Sequence, residues 1–301
     1  MMTNVQKINW PRITVVTPVY NHARYLESAI LSVVTQGYPN LEHIVIDGGS
    51  TDGTLDIIKK YESRFYRWVS EPDGGIFDAM NKGFSWSTGE IMGYVGGTDL
   101  LHAGALRTVG SIFSAFPEVE WLTGHPTGLS EDGMTVTVPA KVPRWSRTRF
   151  LMGANQHIQA ESTFWRRSLW QRAGGNYDFS LKSGGDFELW ARFFRHARLY
   201  SACALIGGYR DHSDADGKRN QKRIKQIHDN VIEQECKRIV SAHGWLISIF
   251  RAFGKIILKI PKIRGVWLFF VRKALYEMPG PDLAPLIAYD YNSGNWQMKS
   301  K

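Results

Sequence analysis

Short β-branched runs alternate with amphipathic stretches through the first hundred residues. Ile13, Val15 and Val16 lie in a run that ends at Pro18, which predicts a buried strand over 13–17. Over 23–35, Leu26, Ile30, Val33 and Val34 share one helical face. Asn21 is placed to cap that helix, and Gly37 with Pro39 to stop it. A second strand is predicted over 43–47. A helix follows over 55–61, with Ile57 and Ile58 inward and Ser50 or Thr51 as its cap. A weaker strand over 67–70, a helix over 78–86 and a strand over 91–95 complete the series. Strand–helix alternation implies an α/β fold with parallel pairing and right-handed crossovers. In such sheets ligands bind beyond the carboxyl ends of the strands. Polar residues cluster at those ends: Thr17 and Tyr20, then Asp47, then Glu71 and Asp73, then Thr98 and Asp99.

The second half is less regular. The stretch 117–143 reads as loop with short strands, 187–196 as a helix with Leu189, Trp190, Phe193 and Phe194 for packing, and 221–240 as a polar helix. At 301 residues the chain has room for one large domain or two small ones. Cys203 and Cys236 make no disulfide framework and lack C-x-x-C spacing. The formal net charge of +9 suits a phosphate-rich partner. No apolar signal segment opens the chain, and no apolar run reaches the roughly 18 residues of a spanning helix. The expectation is a soluble or peripheral protein on the cytoplasmic side.

Several motifs are excluded. There is no G-x-x-x-x-G-K-[ST] loop, no G-x-G-x-x-G fingerprint and no H-E-x-x-H pattern. The stretch His212-Ser-Asp-Ala-Asp-Gly217 imitates a calcium loop, but Arg223 stands where its bidentate Glu belongs. Other blocks do follow one another: Thr17-Pro-Val-Tyr-Asn21, Ile46-Asp-Gly-Gly-Ser-Thr-Asp-Gly-Thr54, Ser70-Glu-Pro-Asp-Gly-Gly-Ile76 and Asp78-Ala-Met-Asn-Lys-Gly83. Then come Gly89-Glu-Ile-Met-Gly-Tyr-Val-Gly-Gly-Thr-Asp99, Phe164-Trp-Arg-Arg167, Gly184-Gly-Asp-Phe-Glu-Leu-Trp190 and Tyr209-Arg-Asp-His212. This ordered series resembles the family-2 glycosyltransferases of the GT-A fold, of the bacterial cell-surface polysaccharide type.

The resemblance covers about residues 11–215. It implies a catalytic domain there, with a nucleotide-binding half (11–100) and an acceptor half (101–215). Residues 216–301 are left as a helical C-terminal extension. The implied reaction moves a sugar from a nucleotide-diphosphate sugar, a UDP-sugar by preference, to an acceptor hydroxyl with inversion. The implied acceptor is a glycan or lipid-linked saccharide. Tyr20, after Thr17 and Pro18 at the first strand end, offers a ring for base stacking. Asp47 either accepts the imide N–H of uracil or forms an Asx-turn. The family's usual second acid is replaced by Gly48, so Asp73 is the candidate to share that role.

Asp99 matches the last aspartate of the family's metal motif, which implies Mg²⁺ or Mn²⁺ as cofactor. Thr98 stands where a second acid often contacts the ribose. Asp186 matches the general base, and Glu188 is turned away by about 100° per helical step. His212 matches a late metal or phosphate contact, Arg210 a charge for the diphosphate, and His157 with Gln159 the acceptor side. A noncatalytic relative that keeps the fold is the alternative. It has no chemical reason to keep both Asp99 and Asp186.

Beyond the resemblance, Leu246, Ile249, Phe250, Phe253, Ile256, Ile257 and Ile260 recur at helical spacing. They lie beside a basic stripe of Arg251, Lys255, Lys259 and Lys262. This pattern predicts an interfacial helix on an anionic membrane face, with packing on the core as the alternative. No nucleic-acid motif accompanies it, so nucleic acid is not an expected partner. Intact protein should therefore co-sediment with anionic vesicles better than with neutral ones. Binding should weaken, without vanishing, as salt rises. Equal sedimentation with both lipids at every salt concentration would reject the tail as an electrostatic anchor.

Overall fold

The computed structural model describes residues 9–153, 157–213, 220–243 and 283–299. Two sheets carry them. The larger is mixed and nine-stranded. Its parallel part is built on β1 (Ile13–Val19), buried along its whole length because helices cover both faces. It pairs in parallel with β2 (Leu41–Asp47) on one side and β4 (Ile91–Tyr94) on the other, and β2 pairs in parallel with β3 (Arg67–Ser70). The crossovers are α1 (Ala23–Val34), α2 (Thr54–Tyr61) and α3 (Ile76–Trp86). These are the elements the hydrophobic pattern predicts, displaced by no more than two residues at their ends.

Asn21 does not cap α1. It sits in the left-handed region at φ 52°, and its side-chain oxygen accepts from Thr51 N across to the next loop at 2.8 Å. The N-cap of α2 is Gly53 rather than Ser50 or Thr51, because both hydroxyl residues are drawn to the bonds around Asn21 and Asp47.

Beyond β4 the order departs from simple alternation. After β5 (Leu100–Leu101) and α4 (Ala105–Ala115) comes β6 (Trp121–His125), inside the stretch expected to be loop with short strands. Its Thr123, Gly124 and His125 hide a strand whose partners alone fix it. β7 (Gly128–Leu129), β8 (Val136–Thr137) and α5 (Arg147–Leu151) precede β9 (Thr163–Arg166). β9 runs antiparallel between β4 and β6. It sends Phe164 into one core and Trp165 into the other, as alternation along a strand requires. Next are α6 (Arg167–Arg172), α7 (Gly185–His196), β10 (Leu199–Leu205), β11 (Gly207–Arg210) and α8 (Gln221–His243).

On one face of the sheet, α7 stacks Trp190, Phe193 and Phe194 against Trp121 and Trp165. The opposite face packs α4 through Val109, Ile112 and Phe113. The small sheet, in the order β5-β11-β7-β8, sits at the end of β4 where ligand is expected.

The expected boundary at 215/216 does not mark the end of the large sheet. α8 packs on α7 through Val231, Ile232 and the Arg195–Glu235 ion pair. β12 (Leu286–Asp290) then pairs in parallel with β10, and β13 (Asn295–Lys299) closes a hairpin on it. So the extension is helical only in part. The amphipathic stretch from Leu246 to Ile260 lies outside the described residues. Among those described, no helix is long and apolar enough to cross a membrane.

Ile287 is fully buried in the α4 core. Ile287→Ala should therefore lower stability by about 2–5 kcal/mol, read as a fall in the denaturant midpoint. An unchanged midpoint would show that the C-terminal hairpin is not part of the cooperative unit.

Candidate active site

The loops after β1 and β2 brace each other. Asn21 N donates to Ser50 Oγ at 2.8 Å, His22 N to Thr54 Oγ1 at 3.1 Å, and Ala23 N to Asp52 Oδ2 at 3.0 Å. Asp47 lies beneath this brace, fully buried. It accepts from Ser50 N, from the Ser50 hydroxyl and, at 2.6 Å, from Ser70 Oγ. Of the two roles open to it, the turn is the one its contacts fill. Gly48 explains where a second acid can stand. A Cβ at residue 48 would lie 2.9 Å from Asp73 Oδ2, so the Asp73 carboxylate fills the space a larger residue would take. Burial pushes Asp73 above the usual carboxylate range, against the Gly75 N–H that holds it down. Tyr20 stands exposed on the same rim.

Thr17 and Pro18, expected to touch the nucleotide, are buried within β1. The Thr17 hydroxyl pairs with His43 Nε2 at 2.9 Å, because a strand residue on that face looks into the sheet. Their contribution to the site is through the backbone: Pro18 O accepts from Gly97 N at 3.1 Å, in the turn that carries Thr98 and Asp99.

Asp99 is buried, and Arg210 N donates to its Oδ1 at 3.0 Å. The Arg210 guanidinium, expected at a diphosphate, has its donors committed elsewhere. It reaches Thr98 O at 2.7 Å, Glu131 O at 2.8 Å and Ser28 Oγ at 3.2 Å, and lies over the Tyr25 ring. It braces the Asp99 loop and leaves its charge beside the carboxylate. Burial still pushes Asp99 up to about 7. His212 follows, buried against Tyr25 and His22. Among the described residues, no group of three or more His, Cys, Asp or Glu is arranged to hold a metal ion.

Asp186 lies in the first turn of α7. The turn approaches α3 closely: a Cβ at Gly185 would stand 2.7 Å from the Phe77 ring. Asp186 is half-buried, and its Oδ1, shielded from solvent, has no hydrogen-bond partner. Burial raises its pKa to about 6, and the phenol of Tyr94, at the end of β4, opposes that rise.

Gln159, expected on the acceptor side, clamps the Thr127 backbone. It accepts from Thr127 N at 2.9 Å and donates to Thr127 O at 2.6 Å. His157 lies near His228 of α8, and burial lowers its pKa.

Two residues that the motifs did not pick out belong here: Tyr94 and Glu161. Glu161 is buried, and burial followed by the negative charge of Asp99 pushes it well above the usual range. The signal for it was an acid standing alone among Ile158, Ala160, Phe164 and Trp165, where a charge is unfavourable unless it has a task.

The model of glycosyl transferase family 2 matches residues 14–107. The chain is 31% identical over 184 residues to a protein of Mycobacterium tuberculosis described as an uncharacterized glycosyltransferase, spanning 60% of this chain and 68% of that one. The chain belongs to glycosyl transferase family 2. It is therefore a glycosyltransferase. It is also 22% identical over 230 residues to the chondroitin synthase of Pasteurella multocida, spanning 76% of this chain and 23% of that one. In fold it resembles S. aureus TarS in complex with UDP-GlcNAc. The TM-score is 0.62 at 16% identity, over 88% of this chain and 82% of that chain. The mixed sheet flanked by helices is thus the GT-A fold.

Carbon-13 NMR of the Asp186 carboxyl should show titration near about 6. Tyr94→Phe withdraws a phenol that favours the ionised form, so the midpoint should rise. A midpoint that stays put would mean the phenol does not hold this carboxylate.

Proposed function

We propose that this glycosyltransferase moves a sugar from a uridine diphosphate sugar to a hydroxyl of a glycan or lipid-linked saccharide, with inversion at the anomeric carbon. The carrying observation is that Asp99 and Asp186 both act on the buried Glu161 carboxyl between them, while Asp186 keeps one shielded oxygen, Oδ1, without a hydrogen-bond partner. The acceptor oxygen attacks the anomeric carbon and its proton passes to Asp186 Oδ1. The bond from that carbon to the diphosphate oxygen breaks, and its electron pair leaves with the nucleotide. A pKa raised to about 6 leaves Asp186 mostly ionised at neutral pH, yet more basic than an ordinary aspartate.

Tyr20 supplies the exposed ring for the base, and Asp73 supplies the acceptor for its imide N–H. Asp47 holds the loop between them. The resemblance of this chain to a chondroitin synthase supports polysaccharide biosynthesis as the setting.

Asp99 fits Mg²⁺ or Mn²⁺. It is a hard oxygen donor, and a carboxyl pushed up to about 7 by burial would be returned to its ionised form by a cation. The scarcity of neighbouring ligands among the described residues suits an ion held largely by donor phosphates, with His212 as the second candidate. Such an ion supplies charge neutralisation to the diphosphate leaving group.

Calorimetry and turnover test the reading together. UDP should bind more tightly than ADP or GDP, and Tyr20→Ala should weaken it by roughly 1–3 kcal/mol. Asp186→Asn should keep UDP affinity and lose about 10²–10⁴-fold in transfer rate. Equal affinity for all three nucleotides would sink the uridine assignment. Wild-type turnover in Asp186→Asn would sink the base.

A further inference from the structure

Glu161 has a property that structural packing leaves unexplained. It sits in the single turn Ala160–Ser162 that leads into β9, only 5% exposed. The turn is locked on every side. Gln159 clamps Thr127, Ser162 Oγ accepts from Gly207 N at 3.3 Å, and Thr163 Oγ1 donates to Gln159 O at 2.7 Å. The carboxyl's Oε1 is shielded from solvent and has no hydrogen-bond partner. A buried acceptor left unpaired is unfavourable, and in native proteins such atoms call for an explanation.

The surroundings supply one. The turn packs against β4, β5 and β11, the elements that flank Asp99 and hold it through Arg210 N, and the charges of both Asp99 and Asp186 act on Glu161. On the donor reading above, on which this inference rests, Asp99 faces the diphosphate and Asp186 faces the incoming hydroxyl. The transferred sugar bridges those two points, so its ring must cross the space that Glu161 borders. A sugar ring presents several hydroxyl donors, and an unpaired carboxyl oxygen is an acceptor for one of them.

We propose that Glu161 is a specificity-determining residue for the donor, with Oε1 accepting a hydrogen bond from one hydroxyl of the transferred sugar. A hydroxyl in that position is then bound, and a sugar lacking it leaves Oε1 buried and unpaired.

The test uses full-length protein with Mn²⁺ and calorimetry of UDP, UDP-glucose, UDP-N-acetylglucosamine and their singly deoxygenated analogues. Wild type should lose about 10- to 100-fold in affinity for the analogue lacking one particular hydroxyl, the size of a charge-assisted hydrogen bond. Glu161→Gln should bind UDP as wild type does, which also certifies its fold. It should bind the parent sugar nucleotide more weakly and lose discrimination at that same hydroxyl. Glu161→Asp, which keeps the charge but withdraws the oxygen, should behave likewise.

A wild type that binds every deoxygenated analogue as tightly as its parent overturns the proposal without reference to any variant. Both variants weakening UDP as much as the sugar nucleotides also overturns it, because the carboxylate would then serve the diphosphate. Wild type failing to bind UDP at all removes the donor reading itself, and this proposal with it.

Discussion

The site depends on one buried guanidinium. Arg210, at the end of β11, ties the backbone of Thr98, the 131 carbonyl of the β7–β8 turn and Ser28 of α1 to a single point. Its backbone N–H takes hold of Asp99 in the same place. Through it, the small sheet is fastened over the end of the large one. Three strands of the small sheet are two residues long and a fourth is four, so ladder bonds alone would hold them weakly. A planar cation with several donors can hold three chain segments in fixed orientation, which an ammonium could not.

Around that point the protein gathers carboxyl groups, burying Asp99 and Glu161 and half-burying Asp186. Asp99, Glu161 and Asp186 come from the turn after β4, the approach to β9 and the start of α7. Burial is the first cause of the raised pKa in each. Few compensating donors are provided: Arg210 N serves Asp99, while Glu161 Oε1 and Asp186 Oδ1 have no partner. Such a cluster is unfavourable in itself and gains from a ligand that brings donors or positive charge. A sugar bearing hydroxyl groups and a diphosphate escorted by a cation bring both.

How far the sequence can be read differs between the two sides of this site. The nucleotide side was legible because Tyr20, Asp47, Asp73 and Asp99 sit at strand ends, and strand ends can be located from hydrophobic period alone. Even there the roles shifted. Thr17 proved to face the sheet interior, since a side chain's direction depends on which face the sheet covers, and of the two roles open to Asp47 its contacts fill the turn. The acceptor side was less legible. Gln159 and Glu161 lie two residues apart, yet one clamps a backbone and the other lies beside Asp99 and Asp186. Only the partners brought in from 127 and 99 separate them.

By itself, the sequence determined the alternating half of the sheet, the order of its strand-end acids and the family to which they belong, because hydrophobic period and short-range turn chemistry are local properties. The tertiary structure decided what locality cannot. It inserted β9 antiparallel between β4 and β6, and made a strand of the Gly- and Thr-containing stretch at 121–125. It also returned 286–299 to the same sheet after the expected domain end. Each of these follows from pairing with strands distant in sequence, and a strand's register and partner are set by what lies beside it in space.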